Sequence, residues 1–127
     1  MTAKTFLTIA AVLAVLYGLG FVLIPETLNA IYGIPAEPHA TVYTRLFGSA
    51  LIGLGVIEWF AKDFRDWDAV RAVLIANVPL TVIGGVVVLF AILSGVANAV
   101  SWTSVLVYVL ILIGSLYCLT QGEKKLA

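Results

Sequence analysis

A long stretch without charge is the feature that most constrains what this chain can fold into. From Ala72 to Gly122, fifty-one residues include no aspartate, glutamate, lysine or arginine. Each helix or strand of a small soluble domain turns one face to water, and that face needs polar side chains. Hydrophobic residues make up 62% of the chain, and the mean hydropathy is +1.12. The sequence therefore predicts an integral membrane protein.

Four segments are long and apolar enough to cross a bilayer, which takes roughly 20 mostly apolar residues per helix. Their expected bounds are 5–24, 40–61, 69–93 and 101–121. The connections are short, so a chain of 127 residues has room for a single integral membrane domain. Residues 82–93 lack the every-second-residue alternation of barrel strands. We therefore expect an all-α, four-helix transmembrane bundle.

The basic residues predict the orientation of this bundle. If the N-terminus is cytoplasmic, the only basic residue on the opposite side is Arg45. Those on the cytoplasmic side are Lys4, Lys62, Arg65, Arg71, Lys124 and Lys125. This bias predicts an N-in/C-in protein, most naturally of a bacterial inner membrane. The first apolar run exceeds the roughly 7–15 residues of a signal-peptide core, so we expect it to be a retained span.

Small residues on the spans predict where the helices touch. In lipid, small side chains let two helix backbones approach closely, and buried amides form hydrogen bonds between helices. The expected packing residues are Gly18, Gly48, Gly55, Asn77 and Gly84. These faces favour a protein that functions by associating with other membrane helices.

Arg45 lies about five residues inside the outer end of the second span, where a guanidinium needs a partner. It could clamp the outer connection by pairing with Glu26 or Glu37, or it could anchor the headgroup of a lipid or quinone. Both interpretations stay open. The residues expected to complete an outer binding pocket with it are Tyr17, Tyr108 and Asn98.

Glu58 lies on the opposite side of the same predicted helix, roughly 20 Å from Arg45 along the axis. We expect it to form an exposed i,i+4 pair with Lys62 at the water boundary. We expect the Asn77 amide to form a hydrogen bond between two helices. The alternative is a role in an ion or proton path, but such a path needs a relay of carboxylates that the sequence lacks.

The chain offers few residues for chemistry. It has one cysteine, Cys118, one histidine, His39, and one methionine, too few for an internal disulfide, paired haem ligands or a histidine-rich metal site. Glycine-rich phosphate loops, nucleophile elbows and paired carboxylates are absent from the sequence. We expect no catalytic residue, no metal ligand and no cofactor, hence no enzyme. Zero net charge gives no reason to expect nucleic acid as a partner.

Several motifs resemble small bacterial four-helix membrane proteins of the DoxX-like kind. They are Leu16-Tyr-Gly-Leu-Gly, Pro25, Tyr32-Gly, Arg45-Leu-Phe-Gly-Ser-Ala-Leu-Ile-Gly-Leu-Gly and Trp59. The resemblance covers roughly the first half of the chain. It implies a four-helix bundle that often serves as an accessory membrane subunit, with some members tied to quinone or thiosulfate redox chemistry. Small multidrug transporters differ, since they rely on a glutamate in the first span, and residues 5–24 contain no acid.

The first functional expectation is a non-enzymatic membrane protein that works by association, as an accessory subunit of a larger complex or as a homo-oligomer among membrane lipids. The alternative is a bundle that binds a lipophile such as a lipid or quinone, with Arg45 as headgroup anchor. A small transporter is the third possibility.

Overall fold

The computed structural model describes residues 1–126, and over this range the chain is helical, without a strand. The α-helices are α1 (Ala3–Leu23), α2 (Pro25–Ile31), α3 (Pro38–Ala61), α4 (Trp67–Leu93) and α5 (Trp102–Gln121). Short 3-10 segments flank α5 at Ala99–Ser101 and Gly122–Lys125. By length and composition α1, α3, α4 and α5 can each cross a membrane. The prediction of an all-helical protein with four apolar spans is confirmed, and the expected bounds lie within two residues of these helices.

Local chemistry explains where the helices begin. The Thr2 hydroxyl accepts a hydrogen bond from the Thr5 backbone N–H (3.1 Å) at the start of α1, and the Asp66 carboxylate accepts one from the Asp68 N–H (3.0 Å) at the start of α4. Both pairings satisfy donors that a helix leaves free. Pro25 and Pro38 open α2 and α3, where a missing N–H has no penalty.

Glycines hold α1 and α3 together as an antiparallel pair. A Cβ placed on Gly18 would lie 2.7 Å from the Gly48 carbonyl oxygen, and a Cβ on Gly48 would lie 2.7 Å from the Gly18 carbonyl oxygen. One to two turns away, Gly55 packs against the Ala11 carbonyl and the Val15 side chain. The two backbones therefore approach as closely as small-residue packing allows.

The second antiparallel pair consists of α4 and α5. The Tyr108 ring of α5 lies over Gly84 of α4, so closely that a Cβ at position 84 would be 2.7 Å from the ring. Here a glycine makes room for a large side chain instead of a second backbone. The bundle is thus two helix pairs, α1–α3 and α4–α5.

The two pairs join at the end of the bundle that carries both chain termini, which we call the terminal end. A core of buried side chains from all four long helices fills it. Its members are Ala3, Phe6, Leu7, Ala10, Ala61, Val70, Leu74 and Cys118. The Phe6 ring of α1 packs directly on Gly114 of α5, a close contact that the sequence reasoning did not include.

At the opposite, far end the pairs are tied by Asn98, which precedes the 3-10 segment before α5. Its backbone N–H donates to the Tyr32 carbonyl (3.0 Å) and its side-chain Nδ2 donates to the Ile31 carbonyl (2.8 Å). Gly33, with φ of 77°, packs against the Asn98 side chain, and this left-handed conformation suits glycine. Asn98 therefore links the α2 region to the α4–α5 connection.

We predict that Gly48→Ala destabilises the α1–α3 pair, because the new methyl group meets the Gly18 backbone and the Phe21 Cβ. Overpacking of this kind costs about 1–3 kcal/mol. Gly53→Ala is the matched control, since a Cβ there meets nothing within 4 Å and the gain in helix propensity is the same. Unfolding curves recorded in detergent measure the stability of the two variants. Equal stability would contradict a close contact between Gly18 and Gly48.

An ion cluster around Asp63, in the connection between α3 and α4, also lies at the terminal end. Lys4 Nζ lies 2.7 Å from Asp63 Oδ1 and Lys62 Nζ lies 2.5 Å from Asp63 Oδ2. These hydrogen bonds, Lys4 first, lower the pKa of the Asp63 carboxyl to about 2. A lowered pKa in the folded state means that the stabilisation is complete above the ordinary aspartate pKa of about 3.9 and is lost as the pH falls toward 2.

We predict that Asp63→Asn reduces the loss of thermal stability of the native protein between about pH 4 and pH 2. The effect should be small and should shrink in high salt, because the pair is exposed. Melting temperatures at both pH values and two salt concentrations measure it. Glu37→Gln is the control, since no ion pair forms at Glu37 among the described residues. Parallel pH profiles for Asp63→Asn and the native protein would refute the prediction.

Candidate functional site: a cavity between the helix pairs

A cavity of about 540 Å³ lies between the two helix pairs. It extends from the α2 region at the far end to Glu58 and Asn77 near the terminal end, where the buried core closes it. Every long helix contributes lining residues, and most of them are apolar. Within each pair, glycines allow the two helices to pack closely. The two pairs contact each other mainly at their ends, and this leaves the cavity between them.

An aromatic cluster forms the far-end part of the cavity. Phe21 of α1 lies 6.2 Å from Tyr17, 6.4 Å from Tyr32 and 5.5 Å from Phe47 of α3, measured between ring centroids. All four rings line the cavity. At these distances the rings form mutually tilted contacts, which are favourable beyond simple burial. The cluster gives this part of the cavity a stable apolar wall.

Glu58 and Asn77 form the polar end of the cavity. Their side chains are 1% and 0% exposed, and Asn77 Nδ2 donates to Glu58 Oε1 at 2.7 Å. The bond crosses from α3 to α4 and so connects the two pairs. The expected exposed pair between Glu58 and Lys62 is wrong: Lys62 binds Asp63 and lies 4.4 Å from the Trp59 ring centroid. Glu58 faces inward because it lies on the side of α3 that carries Leu51 and Leu54, which also line the cavity.

Two oxygen atoms of this pair have no hydrogen-bond partner within residues 1–126. They are Glu58 Oε2 and Asn77 Oδ1, both buried. A buried acceptor left unpaired costs about 1–3 kcal/mol, and buried polar groups in native proteins nearly always have partners. Glu58 and Asn77 line the cavity, and each therefore has one hydrogen-bond acceptor unused at its polar end.

The stretch of α4 beside Asn77 contains a proline. Pro79 lies within the helix and has no N–H to donate. Two residues further on, the Thr81 hydroxyl donates to the Asn77 carbonyl (2.7 Å) and the Val78 carbonyl (3.0 Å). Thr81 is buried and lines the cavity as well. Both bonds return to the preceding turn of α4, the turn that also carries Asn77.

The cavity opens sideways between α3 and α4. The lining residues that are exposed lie on these two helices, among them Tyr43 at 71% and Val87 at 61%. The lining residues of α1 and α5, such as Leu13 and Ile111, are at least half-buried. In a membrane this slot would face the lipid.

Of the four residues expected to form an outer pocket, the structure brings two to the cavity. Tyr17 and Tyr108 line it. Arg45 is exposed and lies outside the lining, and in the described part of the chain it forms no ion pair with an acidic residue. Asn98 is also outside the lining, since its side chain bonds the Ile31 carbonyl and the Val100 N–H. The four residues do not converge.

Glu58 is the functional candidate that sequence reasoning missed. The helical spacing predicted that Glu58 lies away from Arg45, but the proximity of Lys62 favoured a pair at the water boundary. One signal was available: Glu58 is followed by Trp59-Phe-Ala before the first lysine, so an apolar turn separates it from the polar loop. An acid inside such a boundary is a candidate for a buried role.

No family model, curated protein or solved structure matches this chain. Within residues 1–126 no group of three or more histidine, cysteine, aspartate or glutamate side chains could hold a metal ion.

We predict that Asn77→Leu destabilises the bundle by about 1–3 kcal/mol, because it leaves both Glu58 oxygens buried without a donor. The double variant Glu58→Leu/Asn77→Leu should recover much of this loss, since replacing both partners by apolar groups removes the unpaired atoms. Unfolding free energies of the single and double variants measure the coupling. Additive losses would mean that the two side chains do not depend on each other.

Proposed function

We propose that this protein binds a lipophilic molecule in the cavity between its helix pairs. The observation that supports this best is the combination of an apolar cavity of about 540 Å³ with one buried polar pair at its closed end. Ligand sites are typically of this size, mainly apolar, with a few polar groups that fix orientation. In this proposal Glu58 and Asn77, and not Arg45, bind the polar headgroup of the ligand.

The slot between α3 and α4 supports access from the bilayer. Lipid-soluble molecules reach a membrane protein most directly from the hydrocarbon phase, and the exposed rims at Tyr43, Leu80 and Val87 are aromatic or aliphatic. The core at the terminal end closes the route from that side. A ligand would enter sideways and reach Glu58 with its polar group leading.

The orientation in the membrane is part of the proposal. Lys4, Lys62 and Arg65 lie at the terminal end, and Arg45 lies on the far half of α3. With cytoplasmic termini this distribution follows the positive-inside rule. The polar end of the cavity would then lie in the cytoplasmic half of a bacterial inner membrane, and the slot would open mainly toward the outer half.

Association with another chain remains a second proposal, supported by the DoxX-like resemblance. The small-residue faces of the spans give it less support, because their glycines make close contacts within this chain. These glycines are Gly18, Gly48, Gly55 and Gly84. Native mass spectrometry from mild detergent separates the two proposals. A defined oligomer or a co-purifying chain would support association, and a monomer with a bound small molecule would support lipophile binding.

We predict that organic extraction of the purified protein yields a lipophile in near-stoichiometric amount, and that Ala91→Phe lowers this yield severalfold. Ala91 is half-buried and lines the cavity, so a phenyl ring there occupies the space. Ala76→Phe is the matched control on the same helix, because Ala76 is exposed and outside the lining. Mass spectrometry of the extracts measures the yields. Equal lipid content in the native protein and both variants would refute cavity binding.

A further inference from the structure

We infer that the cavity selects cationic amphiphiles, in which an N–H-bearing ammonium group sits on Glu58 and Asn77 and an apolar body fills the rest. This inference rests on the proposed function and specifies the ligand class. It starts from the two unpaired oxygens, Glu58 Oε2 and Asn77 Oδ1.

The number and type of free groups point to an ammonium. Asn77 Nδ2 already donates to Glu58 Oε1, so the pair offers acceptors and needs donors. A hydroxyl group carries one donor, whereas a primary ammonium carries three. A primary ammonium therefore has enough donors for both unpaired oxygens.

The charge at this end of the cavity points the same way. Glu58 is 1% exposed, and a carboxylate removed from water is strongly destabilised unless it takes up a proton or a positive charge compensates it. Among the lining residues that the structure describes there is no lysine, arginine or histidine. An ammonium on the ligand would supply the missing charge, and its hydrogen bonds would be the stronger, charge-assisted kind.

The remainder of the cavity suits the apolar body of such a ligand. Leu51, Leu54 and Ile111 line the cavity beside the polar pair, and the aromatic cluster lies beyond them toward the far end. Burial of an alkyl chain there contributes affinity without selecting a headgroup. Asn29, Thr44 and Ser101 also line the cavity, at the far end. Glu58 is the one acidic or basic side chain among the described lining residues, so discrimination by charge depends on Glu58.

A matched set of three probes tests this inference: dodecylamine, dodecanol and dodecanoic acid, each added at the same mole fraction to the protein in lipid nanodiscs. Native mass spectrometry measures occupancy in the native protein, in Ala91→Phe and in Glu58→Gln. The glutamine keeps the size of the side chain and an oxygen that can accept from Asn77, but it lacks the charge.

We expect the native protein to bind dodecylamine at least tenfold more tightly than dodecanol, and dodecanoic acid most weakly. Glu58→Gln should remove the preference for the amine, so that dodecylamine and dodecanol bind this variant with affinities within about threefold of each other. Ala91→Phe should weaken all three probes. The ranking of probes in the native protein decides the question even if Glu58→Gln fails to fold.

The possible failures are distinct. If Ala91→Phe weakens the binding of none of the three probes, the proposed function is wrong, and this inference is wrong with it. If amine and alcohol bind equally, with both weakened by Ala91→Phe, the cavity binds lipophiles but Glu58 does not select a cation; a proton on Glu58 would have this effect. A preference for the amine that survives Glu58→Gln would also overturn the assignment.

Discussion

The hydrogen bond from Asn77 to Glu58 is the polar contact between the two helix pairs that fixes the closed end of the cavity. Within each pair, close glycine contacts hold the helices. Between α3 and α4, a side-chain bond of 2.7 Å crosses a largely apolar interior. In lipid there is no water to replace such a bond, so the two side chains stay together and fix the closed end of the cavity.

The cavity follows from uneven packing along the bundle. Buried side chains fill the terminal end, and Asn98 ties the far end through the Ile31 and Tyr32 carbonyls. Between these two ties the pairs are held apart, because Gly18 and Gly48 direct their close contact within the first pair and Gly84 accepts Tyr108 within the second. A bundle with the same helices but uniform contacts would have no such space.

Placing the polar end at Glu58 changes what a ligand would have to be. An arginine anchor suits anionic or carbonyl-bearing headgroups. A carboxylate beside an amide oxygen suits a donor with positive charge. With Glu58 in place of Arg45, the cavity suits a lipophile with a cationic headgroup instead of an anionic or carbonyl-bearing one.

Hydropathy alone determined the four spans and their bounds, because twenty apolar residues in succession have few stable forms outside a membrane helix. The small residues also indicated helix contact surfaces, since they matter wherever backbones come close. The tertiary structure decided which helices pair, and therefore that Tyr17 and Tyr108 face the cavity while Arg45 and Asn98 do not. A helical wheel gives the angle of Glu58 on its own helix, but only the position of α4 supplies Asn77 as its partner.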